Sequence, residues 1–162
     1  MADVIDPEWE SYKRNWSKRY LSRVRSTVHT VAMLRSEIDE LAEMMDGLAG
    51  IDYAKDSVHG GADDEGLLRR IERMDALKAE YDAELADNLQ AQADAHRRLA
   101  NVGQPMRAVL TYRYLEGMPW ADVAIAVGYT EIYVRDELHS KGLLDLYPFI
   151  PHEFDEMPDA LG

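Results

Sequence analysis

The sequence predicts an all-α fold: a long two-helix hairpin, coiled-coil-like in its patterning, followed by a C-terminal helix-turn-helix module. Three observations carry this. Val31, Leu34, Ile38, Leu41, Met45 and Leu48 alternate by three and four residues, which writes a heptad seam. A second run, Leu68, Ile71, Met74, Tyr81, Leu85, Leu89 and Leu99, marks the apolar side of another long helix. Between residues 101 and 147, Gly, Pro and Thr then punctuate short apolar stretches at the intervals of a helix-turn-helix.

Residues 1–100 are expected to form the hairpin. Its first helix starts at Pro7, which suits a first helical turn, with Asp6 as N-cap. Gly47 and Gly50 weaken that helix near its expected end at Leu48. A loop at about 49–65 follows, broken by Gly60-Gly61, and Asp63, Asp64 and Glu65 suit the first turn of the second helix, which ends near Leu99. Two helices of similar length with a short connection most simply make an antiparallel pair. The same seams would also drive a homodimer, and the pattern leaves both open.

The helix-turn-helix is expected over 101–147. Pro105 opens a helix over about Met106 to Leu115, burying Val109, Leu110 and Tyr114, and Gly117 ends it. Pro119 introduces a short helix from Trp120 to Ala126, with Trp120 as a core anchor. Gly128 permits a left-handed turn. Thr130 caps a last helix to about Lys141, with Val134 and Leu138 facing inward and Gly142 stopping it. Residues 148–162 form an acidic, proline-broken tail expected to be mobile.

The chain has 162 residues, no cysteine and a net charge of −13. Disulfides and thiolate metal sites are thereby excluded. No apolar run approaches the roughly 20 residues that span a bilayer, and the N-terminus lacks an apolar signal core. A soluble cytoplasmic protein with no membrane association is expected. The charge is uneven. Lys13, Arg14, Lys18, Arg19, Arg23, Arg25 and Arg35 lie in a stretch from Ser11 to Ser36 without a carboxylate, which leaves −20 on the rest of the chain. Lys13, Arg14, Lys18, Arg19, Arg23 and Arg25 are candidates for phosphate or an acidic partner; the alternative is a helix face that pairs with the chain's own acidic helices.

In a helix-turn-helix the first helix of the pair braces the DNA backbone and the second enters the major groove. Thr130, Tyr133, Arg135, His139 and Lys141 are the candidate contacts of the second helix with double-stranded DNA. Arg135 is the best of them, because a guanidinium bonds guanine through two donors. Glu131, Asp136 and Glu137 stand among them, and Gly103 to Leu146 holds four basic and six acidic residues. A module of about −2 makes few phosphate contacts alone.

The string from Val109 to Thr130 resembles the C-terminal part of small phage transcription regulators of the ArpU and RinA type, which carry a domain similar to region 4 of sigma-70 factors. The resemblance rests on Val109, Leu110, Arg113, Tyr114, Gly117, Trp120, Val123, Ala124, Gly128, Tyr129 and Thr130, and covers some 35 residues with the later pair Leu138 and His139. That pair stands one residue further from Val134 than the family spacing, and the last helix is more acidic than is usual there. Upstream only the layout of two helices with a middle loop is similar. The resemblance implies a phage or prophage regulator, often of late genes, that binds promoter DNA and contacts RNA polymerase.

No catalytic constellation is legible, and no enzyme, metal or cofactor is expected. His29, His59, His96, His139 and His152 are scattered. Gly60-Gly61 lacks the Lys and Ser/Thr of a phosphate loop, and Asp63-Asp64-Glu65 lacks the spacing of a calcium loop. Two further functions fit the same fold: an acidic protein-interaction adaptor or DNA-mimic-like inhibitor, and a small DNA-packaging subunit.

Overall fold

The computed structural model describes residues 6–52 and 60–152, and among them every regular element is helical. Helix α1 spans Pro7–Asp52 and α2 spans Gly60–Leu99. The Asp6 carboxylate accepts from the Glu8 amide at 3.0 Å, as expected of an N-cap. Gly47 does not end α1, because the cost of one helical glycine is only about 1 kcal/mol. The helices also take up most of the expected loop at 49–65, whose residues 53–59 lie outside the described residues. No helix among the described residues is long and apolar enough to cross a membrane.

The chain divides into two compact units, and not at the boundary near residue 100 that the sequence suggests. One unit is Ser26–Gln90, the other the residues up to Arg25 together with those from Ala91 on. In Ser26–Gln90, Leu34 and Leu41 of the predicted seam are buried against Met74 and Leu77, with Ile38, Met45 and Tyr81 packed around them. Asn88 Nδ2 donates to Thr27 Oγ1 at 2.9 Å. Residues early in α1 thus meet residues late in α2, so the two segments run antiparallel. The inward stripe of α2 differs from the predicted one. Met74 and Leu99 are buried as expected, but Leu68, Ile71 and Leu89 are exposed, and Leu77 and Asn88 face inward instead.

The other unit holds the larger core. Leu21 and Val24 of α1 and Ala95 and Leu99 of α2 are buried in one cluster with Val109, Leu110, Tyr114, Val123, Val134, Leu143 and Leu146. The ends of the two long helices therefore belong with the C-terminal module. Helix α3, Met106–Leu110, runs into a π-helical turn, Thr111–Leu115. Its start is capped by Gln104, whose Oε1 accepts from the Ala108 amide at 3.0 Å. Helix α4 spans Trp120–Val127. Helix α5, Glu131–Tyr133, continues through a second π-helical turn, Val134–Leu138, into α6, His139–Leu146.

Gly142, expected to stop the last helix, instead lies inside α6 against α3. A Cβ there would come within 3.1 Å of Leu110 Cδ1 and 3.2 Å of Met106 Cβ. The glycine lets the two helices approach. The expected mobile tail is also tied down in its first residues: Arg98 donates to the Phe149 carbonyl at 2.7 Å, Trp16 Nε1 to that of Pro151 at 3.1 Å, and Ile150 is buried. Residues 153–162 lie outside the described residues.

Candidate nucleic-acid interface

The turn between α4 and α5 has the geometry its residues predict. Gly128 adopts φ 80°, the left-handed region in which glycine carries no steric cost, and its amide bonds the Ala124 carbonyl at 2.9 Å. Thr130 is extended, and its hydroxyl oxygen accepts from the Tyr133 amide at 3.3 Å. Three residues, 128–130, thus separate the helices. Val134 and Leu138 bury into the core that contains Val123, which fixes the second helix against the first.

That anchoring leaves the opposite face of α5 and the following turn exposed. Thr130, Tyr133, Arg135 and Lys141, four of the five predicted contacts, lie on the surface. Arg135 reaches Asp136 at 3.7 Å and Glu131 at 4.0 Å. Such exposed pairs are worth little, so the guanidinium exchanges partners readily. Tyr133 lies against Tyr129, ring centroids 5.4 Å apart. The sequence reading missed the apolar residues of this surface: Ile125 is 80% exposed and Ile132 67%. Their signal was available, since both fall outside the inward spacing of Val123, Val134 and Leu138.

His139 corrects the sequence reading. It is buried, with Tyr114 Oη 2.6 Å from Nε2 and the edge of Trp120 packed at 4.7 Å between centroids. Burial first, then the charges of Lys18 and Arg113, push its pKa down from 6.5 to about 4. Burial raises Tyr114 to about 12, so the phenol keeps its proton and donates to the neutral imidazole. The backbone of Arg135 also bonds the ring. His139 is therefore a satisfied core residue that joins α3 to α6, and it presents nothing to a groove. Its position was legible: Leu143 and Leu146, four and seven residues on, put it on the inward stripe.

The six N-terminal cations fare unequally. Lys13 Nζ lies over the rings of Trp9 and Tyr147, at 5.2 and 5.6 Å, and Arg19 over Trp16 at 5.9 Å. Arg14 pairs with Glu10 at 3.7 Å, and among the described residues it is the only one of the six to meet a carboxylate. Lys18 and Arg23 are exposed. Arg25 is half-buried, and its Nε is buried without a hydrogen-bond partner. Among the described residues, self-pairing of these six cations with carboxylates is thus confined to one short-range contact. Arg113, not among the predicted contacts, donates to the Met118 carbonyl at 3.0 Å and stacks on Trp120 at 4.6 Å.

No group of three or more His, Asp or Glu side chains that could hold a metal ion occurs among the described residues. No family model matches the chain, and neither a curated protein nor a solved structure matches it.

Proposed function

We propose that this protein is a transcription regulator of the phage type that binds promoter DNA through its C-terminal helix-turn-helix. The observation that carries the reading is the α4–turn–α5 geometry: a left-handed Gly128, a capping Thr130, and a second helix anchored by Val134 and Leu138 whose other face is free. A helix held in this way enters a major groove while its partner crosses the backbone. Thr130, Tyr133, Arg135 and Lys141 are the groove-facing set, and His139 is withdrawn from it. The resemblance of Val109 to Thr130 to phage regulators of the ArpU and RinA type supports the same reading, and with it a contact to RNA polymerase.

The test is selection of the full-length protein against a random duplex pool near physiological salt. Enrichment of a defined motif is expected, and a palindromic one would mean a two-fold dimer. Arg135→Ala should then lose about 1–3 kcal/mol of specific binding and relax preference at one position. No enrichment by a folded, helical protein overturns the reading.

One observation favours a second reading. Ile125, Tyr129, Ile132 and Tyr133 expose apolar surface on the same helices, where three carboxylates, Glu131, Asp136 and Glu137, outnumber the cations Arg135 and Lys141. That composition suits a protein partner, and an acidic adaptor would use it. Absence of DNA binding at every salt concentration favours this alternative.

A further inference from the structure

Eight cations of the unit that contains the helix-turn-helix meet no carboxylate among the described residues, and three of them, Lys18, Arg25 and Arg113, bear on the same buried pair, Tyr114 and His139. Lys18 and Arg25 are seven residues apart on α1, which puts them on one face, two turns or about 10.5 Å apart. That stretch of α1 is fixed: Ser17 Oγ donates to the Leu143 carbonyl at 2.7 Å, and Leu21 and Val24 are buried in the core with Tyr114. Arg113 comes from the π-helical turn that carries Tyr114. The charge of Arg25 acts on both Arg113 and Tyr114, and the charges of Lys18 and Arg113 both act on His139.

Holding like charges near a buried Tyr–His pair costs free energy, and the half-buried Arg113 carries a desolvation penalty as well. The buried Nε of Arg25 is a further unmet donor. Surface arginines free to turn into water would avoid both costs. Arg113 cannot turn away, because Met118 and Trp120 hold its guanidinium. An anion from outside the chain would offset the repulsion among the three cations. Guanidinium forks match the oxygens of a phosphate. Trp120, on which Arg113 rests, is the first residue of α4, the helix that crosses the backbone when a helix-turn-helix docks.

We propose that Lys18, Arg25 and Arg113 form a phosphate anchor that takes neighbouring backbone phosphodiesters of duplex DNA, Lys18 and Arg25 each meeting its own, apart from the base-reading face of α5. The inference rests on the reading of the protein as a DNA binder. It supplies the phosphate contacts that the module, with its six acidic and four basic residues, otherwise lacks.

The experiment is equilibrium binding of the full-length protein to its selected duplex over a series of salt concentrations. Lys18→Gln/Arg25→Gln should weaken binding and flatten the plot of log affinity against log salt by about two, close to one for each phosphate no longer neutralised. Its sequence preference should not change. Tyr133→Ala should do the reverse, altering preference and leaving the slope. If the double variant is not fully helical, Lys18→Gln alone, at an exposed position, reads the same quantity with a slope change of about one. An unchanged slope with motif binding intact overturns the anchor and spares the regulator reading. A wild-type protein that binds no duplex at low salt overturns both.

Discussion

The two units spend their apolar residues differently. Among the described residues, the unit around the helix-turn-helix gathers 18 buried residues into one cluster drawn from both long helices, from α3, α4 and α6, and from both π-helical turns. The described residues of Ser26–Gln90 have four, Leu34, Leu41, Met74 and Leu77, and leave Met33, Met44, Leu67, Leu68, Ile71 and Leu89 exposed. A two-helix layer cannot enclose a stripe on both sides, whereas a third and a fourth helix can. Stability is therefore concentrated where the candidate interface is, and the hairpin is the part that opens first.

The widest way to break this contrast is truncation in each core. Leu110→Ala removes a fully buried side chain packed on Gly142 and should cost about 3–5 kcal/mol; Leu77→Ala should cost nearer ~2 kcal/mol, because a thin core relaxes around the loss. Hydrogen exchange reads the outcome by segment. Leu77→Ala should deprotect Ser26–Gln90 and leave 91–152 protected; uniform deprotection would dissolve the division.

A middle-sized effect comes from pH. The folded pKa of His139, about 4, lies below the ordinary 6.5, so its contribution is complete above pH 6.5 and is lost as pH falls toward 4. The shift corresponds to roughly 3 kcal/mol. Denaturant titrations at pH 7 and pH 4.5 should show this loss in the helix-turn-helix unit, and His139→Gln should flatten it. Asp94, held near 2 first by its hydrogen bond to Arg98, acts in a separate window, with stability present above 3.8 and lost as pH falls toward 2.

The smallest effect sharpens the comparison within one unit. Thr130→Ala removes a single capping bond of 3.3 Å at an exposed site and should cost about 0.5–1 kcal/mol. A loss of several kcal/mol, measured by thermal unfolding, would mean that the turn and not the core organises this unit.

Much of this was legible in the chain. Leu34, Ile38, Leu41 and Met45 of the α1 seam, the turn at Gly128 and Thr130, and the burial of Val109, Leu110 and Tyr114 all follow from local chemistry. What was hidden depends on distant partners. Leu77 and Ala95 of α2 are buried where Leu68 and Leu89 are not, because α1 selects the inward stripe. Gly142 packs a helix that its backbone freedom suggested it would end. The cluster of Lys18, Arg25 and Arg113 joins residues nearly a hundred positions apart, and no spacing rule brings them together.

The π-helical turn over Val134–Leu138 has a consequence for how this helix tolerates change in length. A π turn holds about one residue more than an α turn. Arg135, Asp136 and Glu137 within it are exposed, and Val134 and Leu138 at its ends are buried. Deleting one exposed residue would tighten the bulge into an ordinary turn and keep Val134, Leu138 and His139 in the core. The second helix of the pair is thus a place where a one-codon insertion or deletion can survive. Each such event would change which side chains the outer arc offers to a partner while the interior stays as it was.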